Sequence, residues 1–411
     1  MLKRLSPFIL PTLVYLCLAV TSPAALGKTY DLLYKATIDP ASGMAAVEIQ
    51  LNGQSIPKQL ALNLGSGRYS EVTSDHLVEL SKDKAIWRPE GSSSSLSYKF
   101  AINNRKGSGS YDSRITDDWA ILRSDKLIPS MSVTGKGHSK AELQLELPEG
   151  WSSALPYPET GENHYRLKDS GRRFVRPKGW MIVGRIGARQ DIITGVDTKI
   201  AGPLGEDIHR QDTLAFLNWN LPEIKKVFPK FPNYLLVVTA GDPMWRGGLS
   251  GTRSLFMHAD RPLISGNRTS SMIHELVHVA TGIRGDKQSD WIVEGLAEFY
   301  SLEILRRSGG ISQRRYEEAM DKLADWGKEA PSLLVKRSSG PVTARAVGVM
   351  RALDQEIRQA SGGKASIDDV ARGLAEKRGE VTLERFNALA EAAAGRPVEA
   401  LTTDKLRDES P

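Results

Sequence analysis

His274 and His278 of the stretch HELVH stand four residues apart and enclose Glu275. On a helix, side chains at i and i+4 stack one turn above the other, so both imidazoles can reach a single divalent metal at about 2.0–2.1 Å. Glu275 projects beside that point, where it could take a proton from an activated water and pass it to a leaving amine. A hydrolytic metal centre also needs a third protein ligand and an open fourth position. Residues 290–300, DWIVEGLAEFY, offer Glu294 as that ligand, sixteen residues beyond His278. Glu298 follows one turn later on the same face, placed to accept the free ring N–H of a ligand histidine and fix its tautomer. Histidines and glutamates also populate ordinary solvated helix faces. The second glutamate-bearing helix is what favours a zinc site of His274, His278 and Glu294, with Glu275 as catalytic base.

These residues need two helices held side by side. Ser270 or Ser271 can cap the first, which should run to about Gly282. Ile273, Leu276, Val277 and Ala280 recur with helical period and should be its buried stripe. The second should start near Asp290, read as its cap, and stop at the glycines of RRSGG. The joining segment GIRGDKQSD is short and polar, as an antiparallel helix pair requires. Upstream, the pattern is different. AAVEIQLNG, SLSYKFAIN and KAELQLELPEG alternate apolar and polar residues and read as strands, as do GWMIVGRIGA and DIITGVDTKIAGP. Beyond Pro203, DTLAFLNWNLPEIKKVF reads as a helix interrupted at Pro222, NYLLVVTAG as a buried strand and GGLSGTRSLFMHAD as an edge strand. The expected class is α+β: a β-rich domain over residues 28–203, then a mainly helical domain over 204–411.

Composition sets the outer limits. With 40% apolar and 25% charged residues, the 411-residue chain belongs with folded globular proteins and is long enough for more than one domain. Lys3 and Arg4, the apolar run Phe8 to Val20, and the small residues of TSPAALG read as a secretory signal peptide over residues 1–27. The expected location is the periplasm or the medium, with no stable membrane insertion after cleavage. The only cysteine, Cys17, lies in that leader, so a mature chain has no disulfide and no thiolate metal ligand. Losing Lys3 and Arg4 takes the net charge from +6 to +4, a mild excess without the long basic blocks that nucleic acid would call for. The other five histidines, His76, His138, His164, His209 and His258, are scattered. Only His258, just before the motif helix, has a chance of lining the cleft.

HELVH followed by WIVEGLAEFY resembles the gluzincin metallopeptidases, and most closely the glycyl aminopeptidase family, a relative of the aminopeptidase N family. Weaker matches flank the motif in GGLSGTRSL, in the segment from Val342 to Leu374 and in AAGRPVEAL. The resemblance implies a thermolysin-like catalytic domain, one Zn²⁺ and a peptide or protein substrate. Two departures accompany it. Relatives carry a glutamate after Gly-Gly-Leu that suits a substrate amine; here Gly247, Gly248 and Leu249 lead into Ser250 and Gly251. Relatives also meet the developing oxyanion with the tyrosine of Tyr-x-Lys-Gly-Ala. Thr343 stands at that position, Arg345 at the lysine, and no tyrosine or histidine follows Tyr316. Arg345 is therefore the expected substitute donor. The favoured reading is an exported zinc endopeptidase. A zinc-holding pseudopeptidase serving as an envelope binding or scaffolding protein is the alternative, and an aminopeptidase a further one.

Overall fold

A computed structural model describes residues 28–169 and 171–407. The expected leader with Cys17 lies outside the described residues. Among those described, no helix is long and apolar enough to cross a membrane.

The strand Thr29–Asp39 buries every second residue from Tyr30 to Ile38, the mark of a strand with one face on a core. It lies in a seven-stranded sheet between His138–Glu146, which it pairs in parallel, and Met44–Asn52. A four-stranded sheet packs on the same core, adding Leu60 and Leu62 of Gln59–Asn63 and Trp87 of Lys84–Trp87. The alternating runs of the first half thus form the β-rich region that their pattern predicts.

A third sheet carries Trp180–Gly184 beside Trp119–Arg123, and all five residues of Trp180–Gly184 are buried. Period-two alternation explains this. Met181 and Val183 face the first core, while Trp180 and Ile182 face a second apolar layer that also takes Leu236, Val238 and Phe256 from the other half. Trp119–Arg123 divides in the same way, Ala120 and Leu122 one way, Trp119 and Ile121 the other. Immediately after comes α1, Ser124–Leu127, a single turn.

The fourth sheet has the order Ile186–Ile193, Val196–Pro203, Tyr234–Ala240, Ser254–His258, Gly248–Gly251, so Gly248–Gly251 is an edge. A domain boundary at 203 falls inside this sheet. Val196–Pro203 pairs in parallel with Tyr234–Ala240, and Ile200 sits in the core built mostly by helices. Ile186–Ile193 pairs with Val196–Pro203, and only the latter pairs beyond 203, with Tyr234–Ala240; Ile186 still packs on the layer that holds Trp180 and Ile182.

The helices follow: α2 Arg210–Val227, α3 Ser271–Thr281, α4 Asp290–Arg307, α5 Gln313–Gly327, α6 Pro341–Ala360, α7 Ile367–Glu376 and α8 Leu383–Ala394. Helix α2 runs unbroken through Pro222, against the expected interruption. Burial of Leu217, Leu221 and Ile224 on one face outweighs the single backbone bond that proline removes. Helix α4 is central and buried on nearly every side, from Trp291 to Leu305. Gly295 lets α6 close on it: a Cβ at that position would lie 2.7 Å from the Ala346 Cβ.

Candidate metal centre

Helix α3 begins as its sequence predicts. The Ser270 hydroxyl accepts the Ile273 N–H, and Gly282, at φ +57°, closes the other end with its N–H on the His278 carbonyl. Ile273, Leu276, Val277 and Ala280 are all buried. At roughly 1.5–3 kcal/mol for each large side chain, they fix the rotation of the helix without help from the histidines. His274 and His278 then face α4. Asp290 is the first residue of α4 and not its cap; Ser289 precedes it, and the Asp290 carboxylate instead accepts the Ser338 N–H at 2.7 Å. This bond ties the loop between α5 and α6 to the turn of α4 that precedes Glu294.

Three ligand groups converge. The Nε2 atoms of His274 and His278 lie 3.1 Å apart. Glu294 sets Oε2 3.3 Å from the first and Oε1 3.7 Å from the second. Metal bonds of 2.0–2.1 Å at tetrahedral angles require ligand atoms about 3.3 Å apart, so the observed edges fit a Zn²⁺-sized ion. The donor set, two imidazoles and a carboxylate, suits that ion chemically. Glu298 Oε2 lies 3.0 Å from His274 Nδ1, which leaves Nε2 as the ligating atom.

The charges of these side chains respond to one another. Burial opposes a charge on His274, yet hydrogen bonds to Glu294 and Glu298 outweigh it and lift its pKa to about 10. Burial and the neighbouring His274 charge push His278 down to about 4. Burial also opposes charge on Glu294, but its bond to His274 and the charges of His278, His274 and Arg337 hold it below the usual carboxylate range. For Glu275 burial prevails and raises the carboxyl above its ordinary value, against His274 and Ser250, which pull the other way.

A cavity of about 420 Å³ opens over the site, bounded on one side by His274, Glu275, His278 and Glu294. The edge strand Gly248–Gly251 forms its rim. Gly248 lies so close to the base that a Cβ would be 2.6 Å from Glu275 Cγ. Trp180 Nε1 donates to the Leu249 carbonyl at 2.7 Å and Arg123 Nη1 to the Ser250 carbonyl at 3.2 Å, so side chains of the first half brace this rim. The cavity is also lined from the first half by Arg68, Asp112, Arg123 and Lys126. Residues so distant along the chain leave no local signal, and the sequence pattern gave no hint of them.

The structure does not bring Arg345 to the cavity. Its guanidinium donates to the carbonyls of Ala330 at 2.6 Å and Lys405 at 2.9 Å, tying α6 to the segments on either side. Helix α6 begins at Pro341, and neither Thr343 nor Arg345 lines the cavity. His258 is buried at its strand end and also lies outside the cavity lining. Its Nδ1 accepts the Asp260 N–H at 3.2 Å, and Asp242, 3.5 Å from Nε2, is already held by Arg246.

No protein-family model matches the sequence, and no curated protein does. Solved structures do match. An aminopeptidase N family protein from Idiomarina loihiensis superposes with a TM-score of 0.64 at 14% identity, over 89% of this chain and 71% of that one. Legionella pneumophila aminopeptidase A, solved in complex with aspartic acid, gives a TM-score of 0.54 at 14% identity, over 93% of this chain. The chain spans about half of that second protein, 49% of its length. At this identity the likeness is one of fold: the chain folds as aminopeptidase N family proteins do.

Proposed function

We propose that the protein is an exported zinc-dependent metallopeptidase that cuts internal peptide bonds. The observation that carries this reading is the triangle of His274, His278 and Glu294 with the Glu275 carboxylate beside it in one open cavity. A Zn²⁺ held there supplies Lewis acidity and makes water a nucleophile near neutral pH. Glu275, its carboxyl raised by burial, takes the proton from the attacking water and delivers it to the departing amine. Ser250 holds that carboxylate in place, and Glu298 holds His274. Charge building on the carbonyl oxygen needs a donor, and Arg345 is committed elsewhere. An internal bond is favoured over a free amino terminus because Ser250 stands where an amine-binding carboxylate would be needed, and the first half lines the cavity with cations.

Arg345's position favours one other reading: a pseudopeptidase that keeps the metal and binds peptides without cutting them. One experiment separates the two. Metal content and unbiased peptide-library digestion are measured on the wild type and on Glu275→Gln. Stoichiometric zinc in both, with cleavage only in the wild type, supports the peptidase. Zinc in both with no cleavage supports the pseudopeptidase, and absence of zinc from both overturns the metal centre.

A further inference from the structure

From the first half, the cavity lining carries Arg68, Lys106, Arg123 and Lys126 against one carboxylate, Asp112. Two of these cations are neutralised. Lys106 pairs with Asp112 at 2.8 Å. Arg123 directs Nε and Nη2 at the two oxygens of Asp125, at 3.0 and 3.1 Å. Arg68 and Lys126 are different. Among the described residues, no carboxylate pairs with either.

Arg68 is half-buried and held by neutral groups alone. Its Nε donates to the Ala101 carbonyl at 2.8 Å, and its Nη2 to the Ile102 carbonyl and to Ser113 Oγ. Its face lies over the Phe100 ring, 4.3 Å from the centroid. Nη1 has no hydrogen-bond partner among the described residues. A guanidinium taken partly out of water and bonded directly to neutral groups, with Asp112 nearby but itself paired with Lys106, leaves room for an anion to complete it. Lys126, exposed in α1, adds a mobile second charge to the same lining. The rigid fork of Arg68 can grip a carboxylate in two-point geometry, while the lysine contributes a point charge.

We propose that Arg68 and Lys126 form a carboxylate-binding subsite in the cavity that Glu275 also lines, so that the peptides this site takes carry an anionic group beside the bond over the metal. This rests on the peptidase reading for the words "bond over the metal"; the anion subsite itself stands on the two unpaired cations. The carboxylate can belong to an acidic side chain or to a free chain terminus, and the chemistry of recognition is the same for both.

Binding by the zinc-loaded Glu275→Gln protein tests this without turnover. Three versions of one short peptide are titrated by calorimetry: neutral with both ends blocked, blocked with one Asp or Glu, and neutral with a free carboxyl terminus. At least one carboxylate-bearing version should bind about tenfold more tightly than the neutral one, the scale of one charge-assisted hydrogen bond. The preference should shrink in higher salt. Adding Lys126→Gln should reduce it several-fold, and adding Arg68→Gln should abolish it. Because Arg68 also braces Ala101 and Ile102, its variant is checked by thermal melting, and the exposed Lys126 carries the test if Arg68→Gln does not fold. Whether the side-chain or the terminal version gains identifies the source of the carboxylate. Equal binding of all three versions, or a preference unchanged by Lys126→Gln, overturns the subsite. Cleavage by the wild type is scored separately. A charge preference without cleavage leaves the subsite standing and removes the peptidase reading.

Discussion

Gly248→Ala is a one-carbon probe of Glu275, the proposed catalytic base. The added Cβ would lie 2.6 Å from Glu275 Cγ, 3.0 Å from its Oε1 and 3.0 Å from Met257 Cε. Carbon atoms in contact prefer about 3.5–4.0 Å, so something must give by roughly 1 Å. The methionine tip can swing away. Strand Gly248–Gly251 is held by its pairing with Ser254–His258 and by Trp180 and Arg123, so the Glu275 side chain must move instead. A displacement of about 1 Å at a reacting group costs on the order of 10²-fold in rate. Neither imidazole is among the three atoms nearest the new carbon. The expected result is therefore a split: kcat falls about 10²-fold while zinc content stays stoichiometric. Turnover on a peptide found by library digestion, with metal analysis of the same sample, reads both halves. Wild-type turnover in Gly248→Ala would refute the idea that this glycine exists to seat the base, and loss of zinc would refute the separation of base from ligands.

Three further outcomes are expected. Glu298→Ala, which removes the partner of His274 Nδ1, should weaken zinc binding about 10–100-fold with the fold intact; unchanged affinity by competition with a chelator would remove Glu298 from the site. Because His274 stays protonated in the metal-free protein up to a pKa of about 10, zinc must displace that proton at neutral pH. Affinity should then rise about tenfold per pH unit between roughly pH 7 and 9, and calorimetry in buffers of different ionisation heat should find close to one proton released; no release would refute the assignment. Arg345→Ala should lower the melting temperature and spare turnover, because among the described residues its guanidinium bonds the Ala330 and Lys405 carbonyls, away from the cavity. Loss of turnover with an unchanged melting temperature would return Arg345 to the site.

The part of the site legible in the sequence is the part built from local spacing. His274 and His278 share a face because they are four apart on a helix whose cap and apolar stripe are also local. Glu294 and Glu298 follow the same rule on the next helix. Nothing local announces that Gly248 must lack a side chain, since the reason is an atom on a different element. Arg68 and Lys126 reach the cavity from a sheet and a short turn far upstream, so only the tertiary fold brings them there. Arg345 failed for a related reason. Alignment with a relative's motif fixes its place along α6, but which way its side chain turns depends on the Ala330 and Lys405 carbonyls that happen to receive it. A strand pattern names a strand without naming its partner, so nothing local announces that Val196–Pro203 pairs across residue 203 with Tyr234–Ala240.

The double-faced strand Trp180–Gly184 has a mechanical consequence. Because Met181 and Val183 belong to one core and Trp180 and Ile182 to another, the two halves cannot separate without stripping apolar surface from both. They should melt in one cooperative transition, and a fragment cut at 185 should expose Phe256 and its neighbours and aggregate. The cavity has one wall from each half, so its width is set by that common core and not by a hinge. If the chain acts as the proposed peptidase, this bracing predicts that it takes flexible chains threaded into the slot and does not close down on them.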